Sequence, residues 1–227
     1  MFSKILTTGL FAGFAAGLIA AVLQFVFVQP VLLHAELYES GVLAHFNATG
    51  PNSAHPDLGG LDVMRDGLSV LFTVLIYSGY ALILAGAMAM ASDRGQSVTP
   101  RAGMLWGLAG FVSVHFMPAI GLPPEVPGVA AAEVGPRQIW WFMTVLCAST
   151  ALALIAFGRG WAVWGLAIAL LLVPQLIGAP EPDFLLGPVP PEIAASFATR
   201  ALGVGMASWV VLGVLAGYFW RQDLSRG

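Results

Sequence analysis

The sequence predicts an all-α, polytopic membrane protein: six transmembrane helices in one bundle, with both termini cytoplasmic. Three observations lead there. Of 227 residues, 58% are hydrophobic and only 9% charged, against about 25% charged in a soluble domain, so the chain lacks the polar surface to cover itself in water. Six uncharged stretches are each long enough to cross roughly 30 Å of hydrocarbon as a helix, which takes about 20 residues. The few charges fall between those stretches and sort by sign. The same numbers exclude an ordinary water-soluble enzyme. With 9 basic against 12 acidic residues, no basic face exists for nucleic acid. A single cysteine, Cys147, excludes a disulfide framework or a CxxC metal site and reads as a small hydrophobe in an apolar run.

Taken in order, the spans cover residues 5–33, 67–92, 102–121, 138–158, 160–178 and 201–220, within one integral membrane domain, 1–227. The first is uncharged over 29 residues, against about 7–15 for the apolar core of a signal peptide, and so is read as a retained helix. A long loop, residues 34–65, separates it from the second. The third carries Pro118 near its far end. The fifth holds Pro174 and Gly178, which end its regular helix early.

An even number of spans puts both termini on one side. Lys4, Arg94, Arg101, Arg159, Arg221 and Arg226 fall there, and the positive-inside rule makes that side cytoplasmic. The outer side has three basic residues, Arg65, Arg137 and Arg200, against ten acidic ones: Glu36, Glu39, Asp57, Asp62, Asp66, Glu125, Glu133, Glu181, Asp183 and Glu192. Its balance is −7, and that of the inner side, which holds Asp93 and Asp223, is +4. Either the outer mouth is built to concentrate cations, or outer loops free of basic residues gather acids by default.

The outward hairpins share a pattern. Trp106-Gly107-Leu108-Ala109 matches Trp164-Gly165-Leu166-Ala167, and Pro118 through Gly121 is echoed by Pro174 through Gly178. Pro123-Pro124-Glu125 pairs with Pro190-Pro191-Glu192, and Arg137 with Arg200. The first hairpin is a looser copy with Pro30, Glu36, Glu39 and Arg65. Three like-oriented hairpins would form a parallel repeat. The three arginines each stand near a helix N-terminus, where a positive charge opposes the macrodipole. They therefore pair with loop carboxylates or snorkel to the interface. Glycines four apart (Gly9, Gly13 and Gly17; Gly103 and Gly107; Gly213 and Gly217) mark faces where helix backbones approach closely.

All four histidines lie on or near the outer half. His34 follows the first span with Glu36 and Glu39 close behind, and imidazole with carboxylate suits borderline divalent ions such as Co, Ni, Fe or Zn. His45 and His55, in the long loop, read as surface histidines. His115 lies within the third span, three residues before Pro118. There it either lines a polar path, as ionisable groups at membrane depth do, or bonds to neighbouring backbone. Pro118 also frees a carbonyl one turn earlier. Gln24, Gln29 and Gln175 suit interhelical bonds, and Trp140-Trp141 an interfacial belt. Asn47-Ala48-Thr49 fits a glycosylation sequon. No P-loop, Ser/His/Asp arrangement or haem-attachment motif is present, so the chain is read as a non-enzyme.

The run from Val114 to Gly128, with Leu122-Pro123-Pro124-Glu125-Val126-Pro127-Gly128 at its end, is followed by Arg137-Gln138-Ile139-Trp140-Trp141. Together with Gln29-Pro30 and Glu36-Leu37-Tyr38-Glu39, this segment resembles the CbtA family of bacterial cobalt transporter subunits. The resemblance implies cobalt(II) as transported ion rather than a permanently bound cofactor. It also implies the bacterial inner membrane and a small, histidine-rich, one-span CbtB-like partner, and it leaves room for a homo-oligomer. The positions it favours are His115, Glu125, Arg137, Glu36 and Glu39; His34 joins them as a ligand candidate from its own setting. Two rivals stay open: a non-transporting membrane scaffold for a metal-binding partner, and a membrane redox protein binding haem between His34 and His115.

Overall fold

The structure is a computed structural model and describes residues 1–45, 50 and 52–224. The sequon at Asn47 to Thr49 and Arg226 lie outside the described residues. Among the described residues the chain is helical, without strands. Six helices account for it: α1 Phe2–Glu39, α2 Val63–Asp93, α3 Pro100–Ala119, α4 Val134–Phe157, α5 Trp161–Ile177 and α6 Pro191–Leu224. Five are long and apolar enough to cross a membrane. At about 1.5 Å per residue the 17-residue α5 is about 25 Å long, close to the minimum for a span. It ends where Gly178 takes φ +85°, as the glycine predicted.

Two boundaries differ most from the expected spans. α1 continues six residues past residue 33, so His34, Glu36 and Glu39 stand on its last turns, not in a loop. Charge ended the apolar run, but the helix stops only at Ser40 and Gly41, where φ is +76°. Likewise α6 begins at Pro191, because proline is preorganised for a first helical turn and Glu192 there suits the positive end of the dipole.

The chain falls into two compact units. The first comprises Met1–Val26, Gly59–Phe111 and Gly203–Gly227. Its glycine faces do what their spacing implied. A methyl on Gly17 would lie 2.7 Å from the Val74 Cα, and one on Gly213 would lie 2.8 Å from the Gly107 Cα. The backbones of α1 and α2, and of α3 and α6, thus meet without side chains between them. Gln24 bonds the Thr73 hydroxyl across α1 and α2 at 3.1 Å, and Trp209 stacks on Tyr80 with centroids 4.8 Å apart. At the start of α2, Asp62 caps the helix by accepting from the Met64 and Arg65 amides at 3.0 Å each.

The second unit comprises Phe27–Leu58 and Val112–Leu202. Here α4 and α5 form a hairpin, and the loops after α3 and α5 fold onto the end of α1. Ala35, Tyr38, Val126 and Val189 make their shared core, with Phe197 and Ile193 packed against it. The two loops are joined directly, the Ala130 amide donating to the Leu186 carbonyl at 2.9 Å.

Candidate functional site: the proline bends and their loops

The second unit gathers most of the candidate residues, and three proline bends organise it. Proline removes an amide donor and its ring presses on the carbonyl one turn back. Two of the helices answer by widening: α1 is π-helical over Gln24–Val28 and α3 over Val112–Phe116. Each π turn ends two residues before its proline, Pro30 in one and Pro118 in the other. π turns are uncommon and gather at functional positions. Their identical offset relates the first hairpin to the second more closely than residue identity does. In α5, Pro174 sits inside the helix without such a turn.

At each bend a side chain from another helix donates to a carbonyl. Arg200 of α6 donates to the Phe27 carbonyl at 3.3 Å, and Gln175 of α5 to the Met117 carbonyl at 3.0 Å. Trp140 of α4 donates its indole N–H to the Pro174 carbonyl at 3.1 Å. Two of these carbonyls also accept from their own chain, Met117 from the Ile120 amide and Pro174 from the Gly178 amide, so the side chain adds a bond from another helix. Trp140 is only 4% exposed and lies over Gly121, where a methyl group would come within 2.8 Å of its ring. Trp141 is half-buried, with its ring edge-on to Phe142 at 5.0 Å.

The arginines meet three different partners. Arg137, in the first turn of α4, is paired with Glu125 at 2.6 Å, each side chain 28% exposed. Arg65, in the first unit, reaches the adjacent Asp66 at 2.9 Å. Arg200 bonds a main-chain carbonyl, as described. In the first two a carboxylate offsets the clash between positive charge and helix N-terminus.

The ligand candidates stand as follows. His34 faces the ring of Tyr38 at 5.6 Å, one turn along α1. Glu36 is half-buried and Glu39 exposed, the latter with its Cβ and Cγ against Gly128. Glu125 is engaged by Arg137. His115 sits inside the π turn of α3, its Nε2 buried. Among the described residues, no group of three or more His, Cys, Asp or Glu is set to hold a metal ion. Sequence reasoning missed both π turns, and it could not say which carbonyls Arg200 and Gln175 reach. The prolines announced bends, but their resolution into π turns depends on packing partners far away in the chain.

Comparison with known proteins supplies one finding. The sequence profile of the CbtA family, described as probable cobalt transporter subunit, matches residues 2–221. No curated protein and no solved structure matches the chain.

Proposed function

The chain belongs to the CbtA family of probable cobalt transporter subunits, and from that premise we propose that it carries divalent cobalt inward across the bacterial inner membrane. It is a multi-pass membrane protein, and family membership is the observation that carries the reading. In this reading both termini face the cytoplasm, and ten acids on the outer side raise the local cation concentration. His34, Glu36, Glu39 and Glu125 offer the ion its first ligands. Glu125 serves only when its pair with Arg137 opens, so cobalt competes with the guanidinium for that carboxylate. His115 receives the ion within the bundle, in a helix already opened by its π turn. Cargo must bind well enough to shed water yet weakly enough to leave, which suits scattered ligands better than a closed cage. A small, histidine-rich, one-span subunit is the partner we propose for it, and a homo-oligomer is compatible with the same path.

The test is uptake of radioactive cobalt by cells that express the chain, lack it, or carry His115→Ala. Uptake falls to background on deletion and drops severalfold in the variant. Uptake that is indifferent to deletion of the chain refutes the transport reading and favours a scaffold.

A further inference from the structure

The loop after α5 carries an exposed apolar cluster on a fixed base. Three consecutive large side chains stand open there: Phe184 is 74% exposed, Leu185 89% and Leu186 73%. The chain around them is anchored on both sides. Ala179 packs against Gly121, where an added methyl would come within 2.8 Å of its Cβ, and a methyl on Gly187 would lie 3.0 Å from the Gly128 carbonyl oxygen. The Leu186 carbonyl accepts from the Ala130 amide at 2.9 Å, and Val189 is buried in the core it shares with Tyr38 and Val126. Contiguous exposed apolar side chains mark a surface that meets protein or membrane.

The setting of α5 says which. Its last turn exposes Leu176 (82%) and Ile177 (63%), a surface that in a membrane bundle faces lipid, and the cluster follows from it within the same loop. At the other end Arg159 and the 90% exposed Trp161 suit the opposite interface. From there 17 residues reach about 25 Å, short of the roughly 30 Å of hydrocarbon. Where a span is shorter than the hydrocarbon, the residues that flank it are drawn to the lipid boundary. The flank suits that place, since Pro180, Pro182, Pro188 and Pro190 have no amide donor and leave few N–H groups in need of water.

We propose that Phe184, Leu185 and Leu186 enter the bilayer leaflet at the C-terminal end of α5 as an interfacial anchor. Irregular backbone does not enter hydrocarbon, so the loop stays at headgroup level and only the three side chains descend. Glu181 and Asp183, both exposed, remain in water. Through the bond from Ala130 to Leu186, the anchor also sets the height of the loop after α3, on which Glu125 stands. That this leaflet is the outer one rests on the orientation given above; the anchor itself requires only that α5 spans the membrane.

The test is made on full-length protein with Cys147→Ala, which removes the only cysteine. Single cysteines are then introduced by Leu176→Cys, Asp183→Cys, Phe184→Cys or Leu185→Cys, all at exposed positions, so the fold is kept. Each variant is spin-labelled and reconstituted into vesicles of phosphatidylethanolamine and phosphatidylglycerol. Power-saturation EPR is read with oxygen, which gathers in hydrocarbon, and with a water-soluble nickel chelate. Labels replacing Leu176, Phe184 and Leu185 relax more with oxygen than with nickel, and the label replacing Asp183 does the reverse. Because a label is itself partly apolar, Leu186→Cys is also labelled with and without Phe184→Ser and Leu185→Ser, and the two serines abolish its oxygen preference. Nickel preference at Phe184 and Leu185 beside oxygen preference at Leu176 places the loop in water and overturns the proposal. Exclusion of both reagents there overturns it in favour of a covering protein, a second copy or another subunit. Oxygen preference at Leu186 that survives the two serines overturns the anchoring role. None of these readouts depends on cobalt uptake, so their failure is distinct from failure of the transport reading.

Discussion

The contact between α3 and α6 gives the sharpest test of the packing. A methyl added at Gly213 would stand 2.8 Å from the Gly107 Cα, while carbon atoms rest at about 3.5–4.0 Å. The obstacle is backbone, which has no rotamer to give, so the helices must part by several tenths of an ångström along the whole contact. Overpacking of this kind costs about 1–3 kcal/mol. Alanine also has the better helix propensity, by up to about 1 kcal/mol, which hides part of the loss. Gly86 removes that ambiguity. It lies in the interior of α2 with nothing within 4 Å of an added Cβ, so Gly86→Ala carries the propensity gain alone.

The difference between Gly213→Ala and Gly86→Ala therefore isolates the packing cost at about 1–3 kcal/mol. For a chain of this size each kcal/mol shifts Tm by about 2–4 °C, which places the two variants about 2–12 °C apart. Thermal unfolding in detergent, followed by tryptophan fluorescence, reads this directly, since Trp209 lies one turn from Gly213 and against Gly110. Because Gly107 and Gly213 share one contact, Gly107→Ala combined with Gly213→Ala costs less than the sum of the two. Equal melting temperatures for Gly213→Ala and Gly86→Ala refute the close approach.

Three further outcomes follow from single contacts. Trp140→Phe deletes the donor to the Pro174 carbonyl together with the outer indole atoms against Gly121, and costs at least about 1 kcal/mol in the same melting assay; no loss means the indole bond is not made. Asp62→Ala uncaps α2 and costs about 0.5–2 kcal/mol, whereas Asp62→Asn, which keeps an acceptor, stays near wild type. Glu125→Gln and Arg137→Gln, measured singly and together, give a coupling of about 1 kcal/mol or less, because the pair is partly exposed; strict additivity shows that the two do not interact.

Much of the architecture was legible in the sequence because membrane burial simplifies the signal. Uncharged length marks a span, and glycines four apart mark a close contact, as Gly213 and Gly107 demonstrate. Boundaries were less legible. His34, Glu36 and Glu39 interrupt the apolar run of α1 but do not interrupt the helix, since a polar turn projecting beyond hydrocarbon costs little. At about 1.5 Å per residue α1 is about 57 Å long, well beyond the roughly 30 Å core. The site was least legible. Nothing local to Gln175 or Arg200 names Met117 or Phe27 as partner.

The proline bends connect these levels. A helix broken inside hydrocarbon exposes carbonyls that water cannot satisfy, and a donor from another helix adds a bond at each break. Here the donors come from three different helices, Trp140 on α4, Gln175 on α5 and Arg200 on α6. Each bend is thus tied to another helix by a side chain distant in sequence. The same construction supplies chemistry. The π turn that accommodates Pro118 carries His115, and the loop that follows carries Glu125, which Arg137 holds at the start of α4. Backbone irregularity, imidazole and carboxylate therefore lie along one stretch from Val112 to Glu125. In the transport reading proposed above, that stretch is where a cation exchanges water for protein ligands.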